Sequence, residues 1–259
     1  MKKNPKSRIT QKPSEQSDAK EVRLNKYIAN AGVCSRRDAD KLIATGEIKV
    51  NNQVVTEMGY KVQPGDKVYH KGKLLLTEKP VYVLLNKPKD FITTTDDPHE
   101  RRTVMELVKN ACEQRIYPVG RLDRMTTGLL LFTNDGDMAE SLAHPSNNVK
   151  KIYSVELDKP ITKAHFDQIV DGLELEDGPA LVDDLAMLDN KKSLGIEIHI
   201  GRNRIVRRIF EHLGYEVLRL DRVVYASLDK ANLPRGKWRH LSDKEIIKLK
   251  NIAKNRKKQ

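Results

Sequence analysis

Apolar positions in this chain follow two rhythms, one helical and one alternating, and they change partway along. Leu24, Tyr27, Ile28 and Ala31 recur at helical spacing, and Gly32 ends that helix. Ser35 is placed to cap a second helix with Ala39, Leu42 and Ile43 on its inner face, and Gly46 closes it. Ile48-Lys49-Val50 and Val54-Val55 flank the turn pair Asn51-Asn52 and read as a hairpin. Pro64-Gly65-Asp66 turns the chain again before Val68 and Tyr69. Two short helices and a small sheet make a separate module over residues 21–70.

After a linker expected over residues 71–79, the pattern becomes richer in strands. Val81–Leu85, Tyr117–Leu122 and Leu129–Thr133 read as strands, the last of them fully buried. Ile152–Leu157 and Gly195–Ile200 alternate as half-buried strands do. Helices are expected from Asp137, as a cap, through Ala143, and over Thr162–Val170, Val206–Leu213 and Asp243–Ala253. Strands and helices are interspersed without a strict βαβ period. That predicts an α+β fold with a mixed sheet over residues 80–247, not a doubly wound one.

Composition narrows the class. The chain has 259 residues, 38% hydrophobic and 32% charged, which is polar but globular. No apolar run approaches the roughly 18 residues of a membrane span, and no apolar stretch follows the basic start Met1-Lys2-Lys3 as a secretory signal requires. Cys34 and Cys112 stand far apart, as expected of reduced thiols in a cytoplasm. The net charge of +12 is uneven. Residues 1–20, read as a disordered basic tail, hold a surplus of four, and the basic tail 248–259 holds six. Residues 21–70 hold two, and residues 71–247 are neutral. Basic tails and a basic small module are common footprints of nucleic-acid binding, and they also serve solubility.

The candidate chemistry centres on Gly120-Arg121-Leu122-Asp123, a carboxylate between Arg121 and Arg124 just ahead of the buried run Leu129–Phe132. A short polar loop before a rigid strand can hold Asp123 in a fixed place; a surface pairing with either arginine is the plainer alternative. Gly201-Arg202-Asn203-Arg204-Ile205-Val206-Arg207-Arg208 brings four arginines into seven positions between a strand and a helix. Arginine suits bidentate phosphate or carboxylate contacts. In the small module Arg23, Lys26, Arg36, Arg37 and Lys49 crowd one unit, with Arg36 and Arg37 at a helix N-terminus where a phosphate would offset their placement. There is no phosphate-binding glycine loop, no dinucleotide fingerprint, no zinc-ligand spacing among the seven histidines and no nucleophile elbow. If this is an enzyme, it is expected to work without metal, nucleotide or redox cofactor, with a carboxylate as the natural reactive group.

Two resemblances sharpen this. Arg23–Ile28, Cys34–Ala39 and Gly46–Asn51 resemble the RNA-binding module named after ribosomal small-subunit protein four, over residues 22–70. Leu85-Asn86-Lys87-Pro88, Gly120–Asp123 with Thr127–Leu130, Leu142–Pro145, Tyr153, Glu176–Ala180, Gly201–Arg208 and Leu233–Gly236 come in the order of the pseudouridine synthases of the RsuA/RluB type, nearest the large-subunit side. The resemblance implies an α+β fold with a largely antiparallel sheet, no cofactor, and isomerisation of uridine to pseudouridine in ribosomal RNA. It implies Asp123 as the essential carboxylate, Tyr153 against the target base and Arg207 as the partner of Asp123. It also implies that Arg121, Arg202 and Arg204 hold RNA. A non-catalytic RNA-binding assembly factor on the same fold is the alternative. Nothing in the sequence demands more than a monomer.

Overall fold

The computed structural model describes residues 21–255, which form two compact units divided after Thr77. The tail expected over residues 1–20 lies outside the described residues, as do the last four residues.

In the first unit β1 (Val22–Arg23) leads into α1 (Leu24–Asn30) and then α2 (Arg36–Ala44). β2 (Ile48–Val50), β3 (Gln53–Val54), β4 (Lys61–Val62), β5 (Val68–His70) and β6 (Lys73–Leu74) follow. β1 pairs with β4, and the others form a sheet in the order β3-β2-β5-β6. The expected helical stripes are the buried ones: Leu24, Ile28, Ala39 and Ile43 pack with Ile48, Val50 and Val68. Ser35 caps α2, its Oγ accepting from the Asp38 amide at 3.2 Å. Asn51 and Asn52 both adopt left-handed backbone, as a two-residue hairpin turn of this kind requires. The linker expected over 71–79 is a correction. Lys71-Gly72 is a hairpin turn, both residues at positive φ, β6 pairs with β5, and Leu75 is buried in this unit's core. The apolar run of this segment, Leu74-Leu75-Leu76, is only three residues long between Lys73 and Thr77, too short to announce a strand by its pattern.

The second unit runs through β7 (Tyr82–Lys87), α3 (Val104–Val108), β8 (Tyr117–Pro118), β9 (Thr127–Thr133), α4 (Gly136–Ala143), β10 (Lys151–Leu157) and α5 (Lys163–Asp171). The hairpin β11 (Leu173–Leu175) and β12 (Gly178–Ala180) follows, then β13 (Asp184–Met187), β14 (Ser193–Ile198), α6 (Ile205–His212), β15 (Val217–Tyr225), β16 (Leu228–Asp229), β17 (Trp238–His240) and α7 (Asp243–Asn255). The main sheet has the order β13-β14-β10-β15-β9-β7-β17, with β8 beside β9 and β16 beside β15. It is the mixed, largely antiparallel sheet expected. Among the described residues the parallel pairing is β9 with β15, along Thr127–Asp221 and Gly128–Arg222.

Both faces of the sheet are covered, which explains the unbroken apolar runs of β7 and β9. Val83, Leu85, Leu130 and Phe132 join Ile209 and Phe210 of α6 in one core. Tyr82, Leu84, Leu129 and Leu131 pack with Met138 and Leu142 of α4 and Leu249 of α7 in the other. α7 runs past residue 248, as the helix expected over Asp243–Ala253 does: Lys248, Lys250 and Lys254 belong to it, and Leu249 is buried. The strand expected over Tyr117–Leu122 is paired only through Pro118 before the chain turns away. Asp135 and not Asp137 caps α4, accepting from the Met138 amide at 3.0 Å, and its other oxygen accepts from the Tyr82 hydroxyl at 2.6 Å.

β9 and β15 meet closely. Gly128 has φ +108°, and a Cβ there would stand 2.2 Å from the Arg222 carbonyl oxygen. Thr127 Oγ1 donates to Asp221 Oδ1 at 2.7 Å, and Arg235 Nη1 donates to the same oxygen at 2.8 Å, while Lys230 pairs with Oδ2. Burial alone would raise the Asp221 pKa, but hydrogen bonds from Arg235, Lys230 and Thr127 outweigh it and hold it at about 2. The folded value lies below the unfolded one, so the stabilisation is complete above the ordinary carboxylate range and is lost as pH falls through about 2. Lowering the carboxyl from its ordinary range to about 2 corresponds to roughly 2.5 kcal/mol. In urea titrations, the stability gap between wild type and Asp221→Asn is expected to be full at about pH 6 and roughly halved by about pH 3. A gap that does not change with pH would refute this role for Asp221.

Candidate active site

Asp123 lies on the connection between β8 and β9, and this loop is fixed from several sides. Val119 N–H donates to Leu131 O at 2.7 Å, Gly120 turns the chain at φ +71°, and Thr126 N–H closes back on Asp123 O at 3.0 Å. Thr93 Oγ1 donates to Leu122 O at 2.7 Å. The strongest hold comes from Lys87, at the end of β7 and fully buried. Its ammonium donates to the carbonyls of Thr126 at 2.8 Å, Asp123 and Pro88 at 3.1 Å and Arg124 at 3.2 Å. Burial pushes the Lys87 pKa down to about 8, opposed by the charges of Asp123 and Asp90 and reinforced by Arg235. The sequence carries one signal for this residue, a lysine closing an otherwise apolar strand before a proline, and on its own that signal assigns no role.

The surface pairing considered for Asp123 does not occur. Arg124 pairs with Asp90 at 3.0 Å, and no hydrogen bond or ion pair to the Asp123 carboxylate is found among the described residues. The carboxylate instead lines a cleft of about 280 Å³ with Arg121, Tyr153, Arg204 and Leu220. Tyr153 comes from β10 and is buried to 8% exposure, as a core tyrosine would be, yet it forms part of the cleft wall. One row of register partners explains why these groups converge: Lys87 faces Gly128, Gly128 faces Arg222, Arg222 faces Tyr153, and Tyr153 faces Ile196.

Of the α6 arginines, Arg207 is buried at 8% exposure, and its Nη1 donates to Val217 O at 2.8 Å. Burial and the charge of Arg204 lower its pKa, and Asp123 acts in the opposite sense. The two are electrostatically coupled without a direct bond, and Arg207 Nε is buried with no partner. Arg204 pairs with Glu211 at 2.9 Å. The Arg202 guanidinium donates to Asp177 Oδ1 and to the carbonyls of Asp177, Gly178 and Pro179 at 2.6–3.0 Å, so it ties the β11–β12 turn to the cleft. Arg208 grips both Asp177 oxygens at 2.9 Å. Asp177 is thus an organising residue, present in the matching stretch Glu176–Ala180 but with no role that the sequence pattern assigns. Arg121 is exposed at the cleft mouth. In the small unit Arg36 and Arg37 are exposed in the first turn of α2, and Arg23 and Lys49 are exposed on β1 and β2; Lys26 lies half-buried on α1.

Both units are similar to known proteins. A family model for RNA pseudouridylate synthases matches residues 81–212, and an S4 domain model matches residues 22–68. The chain is 44% identical to a Bacillus subtilis protein named ribosomal large subunit pseudouridine synthase B, covering 89% of this chain and 96% of that one. It is 36% identical to the dual-specificity RNA pseudouridine synthase RluF of Escherichia coli K12, covering 90% of this chain and 80% of that one. A crystal structure described as a pseudouridylate synthase superposes with a TM-score of 0.64 at 29% identity, covering 88% of this chain and 99% of that one.

Lys87 generates a testable consequence. An ammonium has three protons for four carbonyls, and an amine has two. Hydrogen exchange at the Thr126 amide, corrected for its intrinsic rate, is therefore expected to quicken as pH rises through about 8. Lys87→Met should show the fast exchange at every pH and lose about 3 kcal/mol of stability, because buried carbonyls are left unbonded. Unchanged protection at Thr126 in that variant would remove Lys87 as the clamp.

Proposed function

The chain belongs to the RNA pseudouridine synthase family, and from that premise we propose that it isomerises a uridine of ribosomal RNA, in the large subunit, with Asp123 as the catalytic carboxylate. The observation that carries the assignment is the state of Asp123: a carboxylate with no ion pair among the described residues, on a clamped loop, in a cleft walled by a buried tyrosine.

In the reaction the N1–C1′ bond breaks, the uracil turns, a C5–C1′ bond forms, C5 loses its proton and N1 gains one. Atoms balance, so nothing need be supplied from outside. Asp123 is the group placed for the chemistry, whether it attacks sugar or base or removes a sugar proton. Tyr153 offers a ring face on which the flipped base stacks. Arg207 supplies positive charge near Asp123, to which it is electrostatically coupled. Arg121 and Arg204 face the strand at the cleft mouth. In the small unit Arg23, Lys26, Arg36, Arg37 and Lys49 make sequence-independent phosphate contacts that place the enzyme on its RNA. Arg202 acts by holding the β11–β12 turn.

Two outcomes check the assignment. Pseudouridine mapping of ribosomal RNA from cells lacking this gene should reveal a missing site, restored by wild type and not by Asp123→Asn. Asp123→Asn should keep RNA affinity within about threefold, since the role is chemical. Turnover by this variant would end the assignment. For the small unit, Arg36→Ala with Arg37→Ala should weaken RNA binding on all sequences alike. The log–log salt slope should fall by about one for each phosphate left without its arginine. An unchanged slope would count against a phosphate-binding role for this pair.

A further inference from the structure

Beside the main cleft lies a second recess of about 140 Å³ that no step of the isomerisation uses. It shares Arg121, Tyr153 and Arg202 with the cleft and adds Lys151, Arg222 and Tyr225. Four of these six are cationic, and no carboxylate lines the recess. Arg222 is the unusual member. It sits in the middle strand of the sheet at 3% exposure. Its Nε donates to Leu129 O at 2.8 Å, and its guanidinium lies 4.4 Å from the centre of the Tyr225 ring. Its Nη2 is buried and has no hydrogen-bond partner, and no ion pair to Arg222 is found among the described residues.

A buried guanidinium without a counter-ion is costly, and proteins retain one where something else completes it. Neighbouring Asp221 does not, since its oxygens are taken by Thr127, Arg235 and Lys230. The planar fork of an arginine matches a phosphate, and Lys151, held by the carbonyls of Val149 and His199 at 2.8 and 2.7 Å, adds a second fixed charge. The shared tyrosine fixes the scale. A base stacked on Tyr153 carries its own phosphates within one nucleotide's reach.

We propose that this recess is a phosphate subsite, in which Arg222 and Lys151 hold a phosphate of the RNA strand adjoining the flipped nucleotide. The inference rests on the RNA-modifying reading of the cleft, and it assigns Arg222 a ligand that the reaction chemistry does not require. The geometry also makes Arg222 a register reader: it is the strand partner of both Gly128 and Tyr153, so a phosphate fixed there sets the nucleotide relative to Asp123.

Calorimetric titration of the full-length protein with uridine 5′-monophosphate and with uridine tests this directly. Wild type is expected to bind the monophosphate at least tenfold more tightly. Arg222→Gln should abolish that preference and leave uridine binding within about twofold. Because Arg222 is buried at a strand joint, Lys151→Met is measured alongside, with the preference expected to fall threefold or more. Equal binding of the two probes by wild type, or binding of neither, overturns the subsite. So does a full phosphate preference in Lys151→Met, or in a folded Arg222→Gln. None of these readings depends on turnover. A failed subsite therefore leaves the mapping result standing, and a failed mapping result leaves this titration interpretable.

Discussion

The two halves of the large sheet are held together by two pairs of residues. β13, β14, β10 and β15 form one antiparallel half, β9, β7 and β17 the other, and they join along Thr127–Asp221 and Gly128–Arg222. Everything in the cleft depends on that short parallel contact. Asp123 leads into one of the joined strands, while Tyr153 lies on the immediate neighbour of the other. A glycine at 128 is the condition for the approach, because any side chain would collide with the Arg222 backbone. Side chains then stitch what two ladder pairs cannot secure: Thr127 to Asp221, and Arg222 to Leu129. The glycine that looks like part of a motif is therefore a steric requirement of the sheet.

Buried charge does the fine positioning. Lys87 is surrounded by carbonyl oxygens and has no carboxylate bonded to it, so its ammonium organises backbone and leaves the Asp123 side chain unbonded. A hydrophobic residue at 87 would satisfy the core and release the loop. A carboxylate salt-bridged to Lys87 would hold the loop and neutralise a reactive group. The arrangement present avoids both. The coupling is mutual, since the Asp123 charge is among those that keep Lys87 cationic.

How much of this is legible in the sequence follows from range. The helices of the small module, the buried run of β9 and the loop carrying Asp123 are local patterns, and they appear where the periodicity puts them. β15 has no such signature, although it is the middle strand. Asp221 and Arg222 break its apolar pattern, and partners on β9 help make those charges compatible with burial. Lys87 and Arg222 are invisible as site residues for the same reason: their roles arise from pairings 39 and 93 positions away along the chain. Arg202 carries a hidden pairing of the same kind. Four clustered arginines look like a phosphate grip, and nothing in their order says that Asp177, 25 positions earlier, has claimed two of them.

That last point bears on how a neutral domain meets a polyanion. Residues 71–247 carry no net charge, so a global field cannot draw RNA to the cleft. Selective pairing creates a local one. Asp90 takes Arg124, Glu211 takes Arg204, and Asp177 takes Arg202 and Arg208. Among the described residues Arg121, Arg207 and Arg222 have no such partner: Arg121 lines the cleft with Asp123, Arg207 is electrostatically coupled to it, and Arg222 lines the neighbouring recess. Arg207 and Arg222, both buried, act at low dielectric and over short distance, where charges resist screening by salt. Long-range attraction would then fall to the small basic unit and the tails, and recognition of the nucleotide to the cleft. The division explains why the charge surplus of this chain lies away from its candidate active site.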